Sequence, residues 1–252
     1  MPSASDDQPV LSAADLLAHR RRAGALSNAA PPESVILVYP RALFDSVTRR
    51  HPTQKLKGFY GDVRLLKRTH GRAAVAGSFG LGAPVTALMV EDLAAFGARR
   101  FVALGLAGGL QPGMKCGDPI LADRAWRDEG VSGHYLAPGP WAQADPGLVR
   151  GLGARLAARG LAPRTGPSWT SDTPYRELRR DVERHQRAGV LTVEMEAAAL
   201  FAVAQALGLQ AGAAFAVADT LADGRWSLAG QLRPAYRTLE ILFACALEYL
   251  TA

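Results

Sequence analysis

The sequence predicts a single α/β domain, and three observations support this prediction. Its 252 residues are enough for one large α/β domain or two small ones. Short β-branched runs alternate with longer Ala- and Leu-rich segments of helical period, which is typical of a sheet covered by helices. No repeat, linker or shift in composition divides the middle of the chain. We therefore predict one domain over residues 31–252, preceded by a flexible tail with a short helix over residues 1–30.

The N-terminal segment is predicted to contain that short helix. Residues 1–10 have no apolar stretch and are expected to be disordered, and the helix follows over Leu11–Arg22. Ser12 is expected to cap the helix, and Asp15 follows three residues later as the second member of a capping box. Two consecutive prolines then break the chain before the first strand.

Strands and helices alternate through the rest of the chain. The strands are predicted at Ser34–Tyr39, Val63–Thr69, Ala73–Phe79, Arg100–Leu106, Asp118–Asp123, Gly189–Val193 and Ala211–Ala218. The helices are predicted at Ala83–Phe96, Pro146–Arg159, Pro174–Ala188, Glu194–Leu207 and Arg233–Leu250. The fourth of these helices has apolar side chains at the i, i+3, i+4 and i+7 positions, which indicates a face packed on the core.

Composition and charge narrow the classes of partner. The formal net charge is +6, from 29 Lys and Arg against 23 Asp and Glu, which suits an anionic partner. The basic residues are dispersed and are not interleaved with aromatics, so a solvated surface is favoured and no nucleic-acid partner is expected. The longest apolar stretches, Phe101–Leu110 and Ala211–Ala218, are too short to cross a membrane, and no membrane association is expected.

The cysteines and the N-terminus indicate a cytoplasmic protein. Cys116 and Cys245 are far apart in the sequence and form no disulfide framework, which favours a reducing compartment. The first residues contain no apolar signal region, and Asp6 and Asp7 argue against a transit peptide. No metal site is expected, because His, Cys and carboxylate side chains are not clustered at metal-ligand spacings.

Two glycine-rich segments directly follow predicted strands. Gly77–Gly82 follows the strand that begins at Ala73, and Gly105–Gly109 follows the strand that begins at Arg100. Glycine at such positions lets backbone N–H groups approach an anion at the carboxyl ends of strands. Tight strand-to-helix turns need glycine for steric reasons as well, so each segment alone is compatible with a simple turn.

Two carboxylates flank a methionine where a β-rich run meets an apolar helix. Glu194, Met195 and Glu196 occupy this junction, which is otherwise built from residues typical of a core. One interpretation is that the carboxylates favour the positive N-terminus of the following helix. The other is that they accept paired hydrogen bonds from vicinal hydroxyls of a sugar, while the methionine packs against the apolar face of its ring.

Five segments, in the same order along the chain, resemble motifs of the nucleoside phosphorylase family. This family includes uridine phosphorylases, bacterial purine nucleoside phosphorylases and methylthioadenosine nucleosidases. Glu194–Leu200 resembles its ribose-binding motif, and Gly105–Asp118 resembles its second glycine loop and the start of the next strand. Ser171–Tyr175 resembles its base-site loop, and Val217–Asp219 the end of a late strand in purine-acting members. Arg127–Tyr135 is similar to a segment of the uridine-type members, so the chain resembles the uridine phosphorylase-like branch.

This resemblance implies a fold and an activity. The implied fold is a single three-layer α/β/α domain with a central, mixed and twisted sheet, over residues 31–252. The implied activity is cleavage of the N-glycosidic bond of a purine or pyrimidine nucleoside by phosphate, which gives the free base and (deoxy)ribose 1-phosphate. Inorganic phosphate is then the co-substrate, and no other cofactor is expected. The implied partners are a small-molecule nucleoside and further copies of the chain, in a homo-oligomer between a dimer and a hexamer.

The resemblance also assigns roles to particular residues. The residues expected to hold the ribose are Glu194, Met195 and Glu196. The residues expected to face the base are Thr173, Tyr175 and Arg176. Asp219 is the candidate general acid, because protonation of a purine at N7 makes the base a better leaving group. The structural alternative for Asp219 is a cap of the turn that precedes Thr220.

The phosphate site departs from the family pattern. Phe44, Ala103 and Leu106 stand where phosphorylases place two arginines and a hydroxyl residue. Neutral side chains cannot supply the charge-assisted bonds of an arginine. The candidates that remain for the phosphate or nucleophile site are Arg41, Gly80, Gly82 and Gly105. The alternative is a nucleosidase that uses water in the same pocket, although Asp45 is the nearest carboxylate in the first-strand loop.

Overall fold

A mixed sheet of eleven strands forms the centre of the fold, with helices on both of its faces. The structure, a computed structural model, describes residues 9–252, so most of the tail predicted over residues 1–10 lies outside the described residues. The strands are β1 (Ser34–Val38), β2 (Thr53–Leu56), β3 (Asp62–Leu66), β4 (Ala73–Gly77), β5 (Arg100–Gly109), β6 (Pro119–Asp128), β7 (Trp141–Gln143), β8 (Arg164–Ser171), β9 (Thr192–Glu194), β10 (Gln210–Thr220) and β11 (Ser227–Leu228). The helices are α1 (Ala13–Arg22), α2 (Arg41–Arg50), α3 (Ala83–Phe96), α4 (Pro146–Ala157), α5 (Arg179–Arg187), α6 (Ala197–Ala206) and α7 (Arg233–Thr251).

The strand order brings the ends of distant segments together. The order is β11-β10-β6-β8-β9-β5-β1-β4-β3-β2, and β7 pairs with β6. Because β10 also pairs with β5, the strands β5, β10, β6, β8 and β9 close into a ring. The central strands β4, β1, β5 and β10 are parallel, whereas β3, β6 and β9 pair antiparallel with their neighbours β4, β10 and β5. The sheet is therefore mixed, as expected.

Successive side chains of the buried strands enter two different cores. In β1, Val35 and Leu37 pack with α1, α3 and α6, whereas Ile36 and Val38 pack with α2, α4 and α7. This alternation follows from the period of two in a strand and shows that apolar helices cover both faces of the sheet. The prediction of three layers, α/β/α, is confirmed.

Most of the strongly periodic segments form the predicted elements. The helix predicted at Ala83–Phe96 is observed at the same residues as α3, and α7 ends one residue beyond the prediction. The capping box of α1 is present, because the Ser12 side chain accepts the Asp15 N–H and the Asp15 carboxylate accepts the Ser12 N–H. Helix α1 also packs on the domain, since Leu17 is buried in the core.

Several parts of the prediction were wrong, and the short strands β2, β7 and β11 were not predicted at all. The segment after Pro40, expected to be the loop after the first strand, begins the helix α2, whose Leu43 and Val47 are buried against the sheet. The helix predicted at Pro174–Ala188 is split into a 3-10 turn at Pro174–Arg176 and α5. Strand β8 was missed, because Gly and Pro near its start interrupt the β-branched pattern and its last four residues include three hydroxyl side chains.

Candidate active site

A cavity of about 650 Å³ opens beside the ends of β5, β9 and β10. Four residues singled out in the sequence line it, namely Tyr175, Glu194, Met195 and Asp219. The end of β5 provides part of the floor, and the segments after β8 and β10 provide the walls. A cavity of this size, with a few polar groups on apolar walls, has the properties of a site for a small organic ligand.

Glu194 is the last residue of β9, and four hydrogen bonds fix its carboxylate. One oxygen accepts the hydroxyl of Thr170 at 2.5 Å and that of Ser168 at 3.3 Å, both from the adjacent strand β8. The other accepts the N–H of Glu196 at 2.8 Å and the N–H of Ala197 at 2.7 Å, at the start of α6. Burial still raises the pKa of Glu194. These bonds agree with the helix-terminus interpretation for this residue.

The carboxylate of Glu196 accepts fewer hydrogen bonds than that of Glu194. Its Oε1 atom accepts the N–H of Gly82 at 2.8 Å, and only 5% of the residue is exposed. Within residues 9–252, neither of its carboxylate oxygens has a cationic partner. Burial, and then the neighbouring Glu194, raise its pKa to about 8. Hydroxyl donors from a bound sugar would stabilise its ionised form. Glu196 itself does not line the cavity, although the two residues before it do.

Asp219 reaches the cavity from the end of β10. The pairing of β10 with β5 is in register up to Val217 and shifts at Ala218, so that Asp219 lies opposite Gly108. Such an irregularity re-aims the side chains that follow it. The Oδ2 atom of Asp219 accepts the indole N–H of Trp226 at 2.5 Å. The sequence pattern therefore located this carboxylate at the cavity, but not its aromatic partner.

The segment after β8 lines the cavity, but only one of its three predicted base-site residues does so. Tyr175 lines the cavity and is exposed, whereas Thr173 and Arg176 are exposed residues that do not line it. Glu177 and Arg179 line the cavity instead. Burial, and then the nearby Asp219, raise the pKa of Glu177 to about 7.

Sequence reasoning did not single out several residues of the cavity, three of which have side chains that can bind a ligand. These are Glu177, Arg179 and Trp226. The alternation of acidic and basic residues after Tyr175 was a possible signal, but no periodicity marks which of them turn inward. Trp226 lies in the turn between β10 and β11, and this hairpin brings its indole to Asp219 seven residues earlier.

The candidates for the phosphate or nucleophile site do not come together at the cavity. Arg41 is the first residue of α2, its side chain is 81% exposed, and its Nε lies 3.6 Å from Asp45. Gly80 and Gly82 have φ angles of 96° and 99°, which favour glycine. Gly105 is buried in β5, where an added Cβ would lie 3.4 Å from the ring of Phe215. Among residues 9–252, none of these four lines the cavity.

An aromatic side chain fills the place of a family arginine. Phe44 is buried in α2, and its ring lies so close to Gly77 that a Cβ there would be 2.4 Å from the ring. The tight packing explains why glycine ends β4. Phenylalanine at this position carries no charge that could bind a phosphate.

The titration of Glu196 makes the stability of the fold depend on pH. Its pKa is about 8 in the folded state and near 4.5 without the fold, so the folded protein retains a proton that the unfolded chain releases between these values. Unfolding therefore becomes easier as the pH rises from about 5 to about 8. We expect Glu196→Gln to reduce this loss of stability by on the order of 2 kcal/mol. Urea unfolding of both proteins at about pH 5 and about pH 8 measures this difference in the free energy of unfolding. An equal pH dependence in the two proteins would contradict the raised pKa of Glu196.

Two negative findings concern the described part of the chain. Within residues 9–252, no group of three or more His, Cys, Asp or Glu side chains is placed to hold a metal ion. Over the same residues, no helix combines the length and the apolar composition needed to span a membrane.

The ring of strands, the cavity at their ends and the Glu-Met-Glu segment together define a class of protein. The family model described as "Phosphorylase superfamily" matches residues 39–249, and the chain belongs to this superfamily.

Individual relatives carry more specific names. The uridine phosphorylase of Haemophilus influenzae is 32% identical over 157 residues, which are 57% of this chain and 62% of that protein. The guanosine phosphorylase of Halorubrum lacusprofundi is 34% identical over 147 residues, or 58% of this chain and 61% of that protein. A DeoD-type purine nucleoside phosphorylase of Caldanaerobacter subterraneus is 29% identical over 176 residues, which are 68% of this chain and 73% of that protein. The chain thus spans less than two thirds of the length of the first two relatives.

Proposed function

We propose that the chain catalyses phosphorolysis of nucleosides, in which phosphate replaces the base at C1′ of the sugar. The products are the free base and (deoxy)ribose 1-phosphate. The observation that carries this proposal is the Glu194–Glu196 segment, in which the fully hydrogen-bonded carboxylate of Glu194 lines the cavity and the buried carboxylate of Glu196, two residues later, accepts one hydrogen bond from Gly82. The names of the relatives, which are uridine, guanosine and purine nucleoside phosphorylases, support the same reaction.

The ribose is held by the Glu-Met-Glu segment in this proposal. Glu196 accepts hydrogen bonds from the vicinal hydroxyls, Met195 packs on the sugar, and Glu194 fixes the start of α6 so that both are held in position. The transition state resembles an oxocarbenium ion, so a firmly held sugar lowers the barrier for attack at C1′.

The base lies towards Asp219, which donates a proton to N7 of a purine as the glycosidic bond breaks. Tyr175 and Trp226 are the aromatic residues available to contact the base, because both line the cavity with their side chains exposed. Thr173 and Arg176 reach the base only if the segment after β8 closes over it. A purine substrate is favoured by Asp219, since uracil leaves as an anion stabilised at its carbonyls.

Inorganic phosphate is the proposed co-substrate, with no metal and no organic cofactor. The proposed contacts are the backbone N–H groups of the Gly80–Gly82 loop, apart from that of Gly82, which already donates to Glu196, and the N–H of Gly105 within β5. Arg41 would have to leave Asp45 to join them, and an exposed ion pair of this kind holds it weakly. A second copy of the chain completes the site in this proposal, within a homo-oligomer of two to six copies. The free cysteines support a reducing, cytoplasmic location.

A panel of nucleosides, incubated with and without phosphate, tests the function. We expect base release that requires phosphate and produces a sugar 1-phosphate in equal amount. Release at the same rate without phosphate would assign the hydrolytic alternative, which is motivated by the neutral residues Phe44 and Ala103 at the two arginine positions. Binding without any release would reject both reactions.

A further inference from the structure

Tyr39 connects several parts of the candidate site that are distant in sequence. It follows β1, and only 8% of it is exposed. Its ring packs edge-on against Phe79, with ring centroids 5.3 Å apart. On the side of β5, a Cβ on Gly105 would lie 3.7 Å from the same ring.

A chain of hydrogen bonds leads from Tyr39 to Glu196. The hydroxyls of Tyr39 and Thr86 lie 2.8 Å apart, and the Thr86 hydroxyl donates to the carbonyl of Gly82 at 2.9 Å. The N–H of Gly82 then donates to Oε1 of Glu196 at 2.8 Å. All four residues are buried.

The direction of these bonds is fixed by the donors available. The single proton of Thr86 is used towards Gly82, so Tyr39 must donate to Thr86. Burial, and then Glu196, raise the pKa of Tyr39 well above its usual range, and its phenol therefore keeps its proton. The bonds hold the peptide groups on both sides of the Gly82 Cα, whose φ of 99° is adopted readily only by glycine.

We infer that Tyr39 and Thr86 are positioning residues, which fix Gly82 so that its N–H holds the Glu196 carboxylate in the orientation that receives the sugar hydroxyls. This inference rests on the proposed function for the role of the sugar. The position of Glu194 does not depend on Tyr39 and Thr86, because its carboxylate is held by hydrogen bonds from Thr170, Ser168 and the start of α6.

The substitutions Tyr39→Phe and Thr86→Val each remove one hydroxyl and keep the size of the side chain. Thr86→Ser retains the hydroxyl and is the rescuing variant. Thr48→Val is a matched control, because Thr48 donates to the carbonyl of Phe44 four residues earlier, as Thr86 does to Gly82. Gly82 is hydrogen-bonded to Glu196, whereas among the described residues Phe44 has no hydrogen bond to it, so Thr48→Val should leave Glu196 in position.

The kinetic readout compares a ribonucleoside with the matching 2′-deoxynucleoside. We expect Tyr39→Phe and Thr86→Val to lower kcat/KM for the ribonucleoside about five- to tenfold, and for the deoxynucleoside, which keeps one of the two hydroxyls, only about two- to threefold. Thr86→Ser and Thr48→Val should keep the ratio of the wild type. In a Glu196→Gln background, the Tyr39→Phe change should add less than about twofold, since the positioned carboxylate is gone. Equal losses on both substrates would indicate a general structural role and overturn the inference.

A second readout does not require turnover. The amide proton shift of Gly82 should follow the titration of Glu196 in the wild type, and Thr86→Val should weaken this response while Thr48→Val leaves it intact. An identical response in all three proteins would overturn the inference. A wild type that shows this response but releases no base from any nucleoside would instead reject the proposed function, so the two failures are distinguishable.

Discussion

Glu196→Ala is expected to lower kcat/KM for every accepted ribonucleoside by about two to four orders of magnitude. A carboxylate that bridges two hydroxyls makes two charge-assisted hydrogen bonds, each contributing about 1.5–3 kcal/mol. Their loss also leaves substrate hydroxyls unpaired in a desolvated site. The fold should survive, because the substitution removes a buried carboxyl whose pKa is already raised and leaves only the Gly82 N–H without its acceptor.

Glu240→Ala is the matched control for this prediction. Glu240 is a carboxylate of α7, on the other face of the sheet, and it bonds Ser46 and Arg50. Its removal deletes the same chemical group without touching the cavity, so kcat/KM should stay within about twofold of the wild type. Near-wild-type turnover by Glu196→Ala on every accepted nucleoside would show that Glu196 does not hold the ribose.

Asp219→Asn is expected to slow release of a purine base by about 10²- to 10⁴-fold, the usual range for losing a general acid. An asparagine oxygen can still accept the indole N–H of Trp226, so the side chain should keep its position. Its amide can donate a hydrogen bond to N7 but cannot transfer a proton. Only the part of the barrier that depends on the acid should rise.

The comparison substrate is a nitrophenyl riboside, whose leaving group needs no proton. We expect Asp219→Asn to slow its cleavage less than about tenfold. Parallel measurement of kcat/KM for inosine, adenosine and the nitrophenyl riboside separates the two effects. Equal losses on purine and activated substrates would assign Asp219 to structure and would favour a pyrimidine nucleoside as substrate.

Local patterns in the sequence were sufficient for much of the sheet and its helices. Helix α3 and the capping box of α1 were predictable because both depend on residues close in sequence. Helix α2 was not predictable in this way, because Phe44 packs against Gly77 at the end of β4. Gly77 is too far from α2 in the sequence for a local pattern to include both residues. Strand β8 is stabilised by its two partner strands and by polar contacts, neither of which produces a period of two.

The candidate site was predictable where a motif is continuous and unpredictable where the fold assembles it. Glu194, Met195 and Glu196 are adjacent in the sequence, so their shared location needed no tertiary information. The bond from Gly82 to Glu196 joins residues 114 positions apart. The Trp226–Asp219 contact depends on the hairpin of β10 and β11, and Glu177 lines the cavity from the irregular segment after β8; no local pattern marks either residue.

Phosphorolysis in this cavity is tested most directly by tracing the oxygen that becomes bonded to C1′. The wild-type protein is incubated with an accepted nucleoside and phosphate labelled with oxygen-18, and the products are analysed by mass spectrometry. We predict that base and sugar 1-phosphate form in equal amounts, with the label in the bridging oxygen. Free ribose that carries its new oxygen from water, formed at the same rate without phosphate, would contradict the account.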